Sequence, residues 1–85
     1  MIKIHNLKIL EEFADAVYDG EKNFEIREND RGYQKGDLVE FKVIDKQGKE
    51  VDHCLNELQY KITYVLNGWG LKNNYVVFGI KEVLE

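Results

Sequence analysis

The chain has no proline, a single cysteine, no excess of positive charge and no long apolar run. The lone thiol, Cys54, has no internal partner, which excludes a disulfide-stapled secreted scaffold and a cysteine-based zinc framework. No stretch approaches the roughly 20 apolar residues that span a bilayer. Met1-Ile2-Lys3-Ile4-His5 reads as the start of a strand and lacks the apolar core of a signal peptide. A cytoplasmic protein with no membrane contact is expected. Sixteen acidic residues against twelve Lys and Arg give a formal charge of -4, so the chain as a whole repels a phosphate backbone and any contact with RNA must be local. With no proline, 44% hydrophobic and 33% charged residues, the composition is that of a globular chain and not a disordered one.

What is present fits one domain over residues 1–85. A chain of 85 residues buries only about 60–65% of its unfolded surface, so a site must be a cleft in the main core. Ile2 and Ile4 alternate with Lys3 and His5, which predicts a first strand over 2–9 entering the core. Leu10, Phe13, Ala14 and Val17 recur at helical spacing, with Glu11 and Glu12 at the helix start and Gly20 at its end. Alternation around Val39, Phe41 and Val43, then Leu58 to Leu66, and an apolar run from Tyr75 to Ile80 predict three further strands. Asp45-Lys46-Gln47-Gly48 reads as a hairpin turn, and 49–57 as a loop. The sum is an α+β, mostly β fold: a partly closed barrel of about five strands with one N-terminal helix at its side. Leu10, Phe13 and Val17 are expected to meet Ile26, Phe41, Ile62 and Phe78 in one core.

The chemistry concentrates in one stretch. In Phe24-Glu25-Ile26-Arg27 a period of two sends Phe24 and Ile26 toward the core and displays Glu25 and Arg27 on the other face. With Lys22 and Arg31, these residues form either a polar cleft that binds a phosphate or base carbonyl, or a surface salt bridge worth about 0–1 kcal/mol. His5 is a cleft hydrogen-bonding group or a half-buried strand-end histidine. Trp69, between Gly68 and Gly70, either stacks on a base or folds back as a lid over the barrel end. Tyr60 and Tyr64 read as core. His53 and Cys54 lack zinc spacing, and no metal or cofactor is expected.

Gly20-Glu21-Lys22-Asn23-Phe24-Glu25-Ile26-Arg27, read as Gly-x-Lys-x-x-Glu-x-Arg, resembles the signature of the ASCH domains of the PUA-like superfamily. The likeness extends to His5-Asn6-Leu7-Lys8-Ile9, Asn29-Asp30-Arg31, the Gly36-Asp37 turn and Ile62-Thr63-Tyr64-Val65-Leu66 before a glycine-containing loop. It covers most of the chain and looks like a small bacterial and phage branch. The resemblance implies a PUA-like fold and a module binding RNA or a nucleotide-like ligand through Lys22, Glu25 and Arg27, with His5, Arg31 and Trp69 around them; a monomer is expected, though nothing in the sequence sets the oligomeric state. A related ASCH group is an amidohydrolase on acetylated cytidine that uses this lysine and a threonine three residues later. Here Glu25 stands at that position, so no catalytic residue is assigned and Lys22 with Glu25 remain as acid–base candidates. Two alternatives stay open: a small hydrolase of a modified nucleoside, and a protein-interaction module using the acidic helix or an open sheet edge.

Overall fold

The computed structural model describes residues 1–84. The chain runs β1 (Ile4–Leu10), α1 (Glu11–Tyr18), β2 (Phe24–Glu28), β3 (Leu38–Ile44), a 3-10 turn (Cys54–Glu57), β4 (Gln59–Asn67) and β5 (Tyr75–Glu82). The strands form one sheet in the order β1-β3-β4-β5-β2, with β1 parallel to β3 and the other neighbours antiparallel. The sheet curls into a half-barrel with a single helix, a mostly β, α+β arrangement. Its two edge strands, β1 and β2, face each other across an open seam.

The concave face holds the core. His5, Leu7 and Ile9 of β1, Val39, Phe41 and Val43 of β3, Tyr60 and Ile62 of β4, and Val76, Phe78 and Ile80 of β5 are all buried. Ala14 and Val17 of the helix and Leu55 of the 3-10 turn complete it. Leu55 lies in the stretch read as a loop, where one buried leucine among polar residues leaves no period to detect. The hairpin turn is present: Gly48 N–H donates to Asp45 O at 3.0 Å and Asp45 N–H to Lys49 O at 2.8 Å.

Three expectations of facing are overturned. In β1 the inward residues are His5, Leu7 and Ile9, while Ile2 and Ile4 are exposed. In β2, Glu25 is buried and Phe24 and Ile26 are exposed. The reason is register: Glu25 is paired with Phe78 and Arg27 with Val76, both core residues, and directly paired residues share a face. An alternating pattern fixes which residues go together but not which set goes in, and a carboxylate with enough donors can be buried. In β4 the register shifts between Ile62 and Tyr64, so Thr63 is an extra residue. That bulge reverses the phase; Tyr64 points outward at 64% exposure and Val65 turns toward the core.

The helix face is narrower than its pattern. Ala14 and Val17 are buried, Leu10 is half-buried and Phe13 is 45% exposed. Phe13 therefore leaves the expected core and joins the wall of the seam.

Candidate ligand cleft at the sheet seam

The end of the helix places Lys22. Gly20 takes φ +80, the left-handed conformation that stops a helix, and the N–H groups of Glu21 and Lys22 both donate to Ala16 O, at 2.9 and 3.0 Å. The chain then enters β2 with Lys22 beside the seam. Asn23 O accepts from Ile80 N–H, so odd-numbered residues of β2 direct their backbone to β5 and the even-numbered ones turn theirs to the open edge. Phe24 O faces that edge, and Lys22 Nζ takes it at 2.8 Å.

Glu25 is the hub of the site. Its side chain is 5% exposed. Lys22 Nζ donates to Oε2, while Arg27 donates from Nε and Nη2 to Oε1 at 3.0 and 2.8 Å. Both carboxylate oxygens are engaged by cations, which is the condition for burying such a charge. Arg27 Nη2 also donates to Lys8 O at 2.8 Å, bridging the seam to β1. Arg31 Nη1 repeats the bridge at Asn6 O, 3.1 Å away. The surface salt bridge considered from the sequence is thus a largely buried triad at the junction of two strand edges.

Around this triad lies a cleft of about 730 Å³, lined by Lys8, Phe13, Lys22, Phe24, Ile26 and Arg27 among others. Its size suits a small-molecule site. Lys22 Nζ stands 5.7 Å from the Phe13 ring centre and 5.1 Å from that of Phe24, within reach of cation–π attraction. Three cations, Lys8, Lys22 and Arg27, meet two acids, Glu21 and Glu25, along the wall. Phe13 and Phe24 were invisible to sequence reasoning as site residues because their spacing also fits a core; the signal that finds them is their exposure beside a charged hub.

Three residues grouped with this site in the sequence lie elsewhere. His5 is 4% exposed and its Nε2 lies 2.8 Å from Asp37 Oδ2, with its ring tilted against Tyr33 at 4.7 Å. It is a core residue that fixes the turn before β3, and neither reading of it survives: it is not in the cleft and not half-buried. Asp37 also accepts from the N–H groups of Lys3 and Gln34. Burial pushes the Asp37 carboxyl up, but these hydrogen bonds and the His5 charge outweigh it and hold it below its ordinary 3.8. Arg31 lines the outside of the seam and not the cleft, its side chain half exposed and 3.9 Å from Asp30. Trp69 sits in the β4–β5 loop, 90% exposed, so it forms no lid. That loop adjoins Asn29, at the end of β2 away from Lys22.

Tyr33 is buried in the core beside His5, packing against Phe78 with ring centres 4.7 Å apart. Burial raises its phenol pKa, against the opposing pull of Arg27 and Arg31. On the far side, His53 Nε2 lies 2.7 Å from Asp15 Oδ1 and its Nδ1 accepts from Leu55 N–H, so it caps the 3-10 turn. Cys54 is exposed beside it. Among the described residues, no three His, Cys, Asp or Glu side chains come together as a metal-holding group, and no helix is long and apolar enough to cross a membrane.

Two relationships to known sequences accompany this geometry. An uncharacterized 12.9 kDa protein from the GpA 3' region of Escherichia phage P2 is 43% identical over 39 residues, which span 46% of this chain and 36% of that protein. Residues 4–80, from the start of β1 to the buried end of β5, match the family model described as Domain of unknown function (DUF3850), and the chain belongs to that family.

Proposed function

We propose that the seam cleft binds a nucleotide-like ligand, with RNA as its polymeric form, in the manner that the resemblance to ASCH domains implies. The observation that carries this reading is the set of donors left over once Glu25 is satisfied. An ammonium has three N–H groups, and Lys22 spends two, on Glu25 and on Phe24 O. A guanidinium has five, and the Arg27 bonds use Nε and Nη2, leaving Nη1 for a ligand. These donors suit a phosphate or a base carbonyl, and Phe13 and Phe24 offer rings against which a planar base can lie. Glu25 holds the cations in place and neutralises part of their charge.

The test is titration of labelled single-stranded RNA and of nucleoside monophosphates at low salt, with circular dichroism to establish folding. Saturable binding weakened by Lys22→Ala and by Arg27→Ala is expected. A folded protein that binds neither probe overturns the reading, and the interaction module then takes its place.

A further inference from the structure

The convex face of the sheet carries a second set of features that the cleft does not use. Directly paired residues share a face, so Phe24 of β2, Gly79 of β5 and Tyr64 of β4 form one row across three strands. Both aromatics are exposed, Phe24 at 41% and Tyr64 at 64%. Between them Gly79 presents no side chain; a Cβ there would lie 2.6 Å from Thr63 Oγ1, so the bulged Thr63 lies flat across it. Neighbouring strands are about 4.8 Å apart, which puts the two aromatic positions about 10 Å from each other over low ground.

Next to this row, Lys61 of β4 is paired directly with Lys81 of β5. Like charges placed opposite each other destabilise a sheet. Among the described residues neither lysine has an ion-pair partner, and the same is true of Lys35, which joins them in lining a hollow of about 640 Å³ with Thr63. Glu82 also borders the hollow, but as the partner of buried Tyr60 it belongs to the opposite face. A chain with net charge -4 therefore gathers three lysines beside two outward aromatics.

We infer that the convex face of β2, β5 and β4 is a platform for single-stranded nucleic acid, with bases against Phe24 and Tyr64 and phosphates at Lys35, Lys61 and Lys81. Aromatic positions interleaved with cations are the means by which proteins hold a single strand without reading its sequence. An acidic peptide would account for the lysines but leave the two rings unused. Phe24 belongs to both surfaces, so a strand whose terminal nucleotide occupies the cleft continues over Gly79 onto the lysines. The platform rests on the nucleotide reading of the cleft and extends it to a polymer.

The experiment compares uridine 5'-monophosphate with an oligouridylate of about eight nucleotides, on the wild-type protein, Tyr64→Ala, and the double variant Lys61→Gln with Lys81→Gln. Lys46→Gln with Lys49→Gln makes the same charge change at the β3 hairpin turn. The oligomer is expected to bind more tightly than the monophosphate. Tyr64→Ala should lower oligomer affinity by about tenfold. The double platform variant should reduce the log–log salt slope by about 1.4, the share of two phosphates on a single strand. Monophosphate affinity should stay unchanged in both, as should the hairpin variant's binding of either probe. Monophosphate binding with no gain for the oligomer overturns the platform while leaving the cleft reading intact. Binding of neither probe overturns both. Equal loss of the two probes in Tyr64→Ala, or polyglutamate binding in place of the oligomer, also overturns the platform.

Discussion

The guanidinium of Arg27 donates to the backbone oxygen of Lys8 at 2.8 Å, tying the last strand in the sheet order to the first. The same nitrogen serves buried Glu25, so one side chain both clamps the seam and holds the hub of the cleft. Removing it leaves a buried carboxylate with Lys22 alone and an edge carbonyl without its partner. Arg27→Ala should destabilise by about 1–3 kcal/mol, the cost of hydrogen bonds to a charged group at a partly exposed site. Arg27→Lys should recover less than half, because one ammonium cannot reproduce the planar fork. Urea unfolding checks this through the midpoint, with the slope constant if the sheet stays curled.

Phe78 and Phe13 make a matched pair of opposite expectation. Phe78 is 1% exposed, and Phe78→Ala should cost about 3–5 kcal/mol. Phe13 stands on the cleft wall at 45% exposure, so Phe13→Ala should cost less than about 1 kcal/mol and act instead on ligand affinity. Equal losses of stability in the two variants would return Phe13 to the core.

The contrast shows where the sequence was legible. The position of β3 and of the helix follows from period and that of β5 from its apolar run, since these signals are carried by neighbouring residues of one segment. The identity of the buried face in β1 and β2 does not, because His5 and Glu25 are buried through partners 32 positions and up to three positions away. Neither His5 to Asp37 nor the register of Glu25 with Phe78 leaves a mark in local composition. The Thr63 bulge likewise reverses Tyr64 without any glycine or proline in β4 to announce it. Lys22, Glu25 and Arg27 come together because all three lie within six residues, whereas Trp69 has no local tie to them.

Asp37 makes stability depend on acid. Its carboxyl is held below its ordinary 3.8 in the folded chain, so the unfolded state binds its proton first as pH falls. The stabilisation is complete above about 3.8 and is lost as pH drops through the lower folded value. Asp37→Asn should flatten this part of the stability–pH curve. It should also cost about 1–3 kcal/mol at neutral pH, since an amide cannot accept at both positions where Asp37 accepts from Lys3, His5 and Gln34. Denaturant midpoints between neutral pH and about pH 3 read both effects.

Hydrolysis of acetylated cytidine is expected to be absent or very slow. The resemblance to ASCH domains implies that Glu25 stands where an amidohydrolase group has a threonine, and in the structure both Glu25 oxygens are engaged by Lys22 and Arg27. A carboxylate so held is a poor base and offers no hydroxyl nucleophile. Chromatographic assay of cytidine release should therefore find no Lys22-dependent turnover. Robust turnover lost in Lys22→Ala would overturn the assignment of Glu25 to a structural hub.

Trp69 joins exposure to backbone strain, and the combination gives a prediction in each direction. It has φ +53 between Gly68 at +71 and Gly70 at +91, a left-handed run that costs a side-chain-bearing residue about 1–2 kcal/mol. At 90% exposure it has little packing to offset that cost. Trp69→Gly should therefore leave stability unchanged or raise it by up to about 1 kcal/mol, the relief being partly offset by the freedom glycine gains in the unfolded chain. As the single tryptophan, it also reports on itself: native emission should be nearly as red-shifted as that of the unfolded chain, and denaturation should hardly move it. A blue-shifted native spectrum, or a marked loss of stability in Trp69→Gly, would instead mean that the indole packs against the β4–β5 loop.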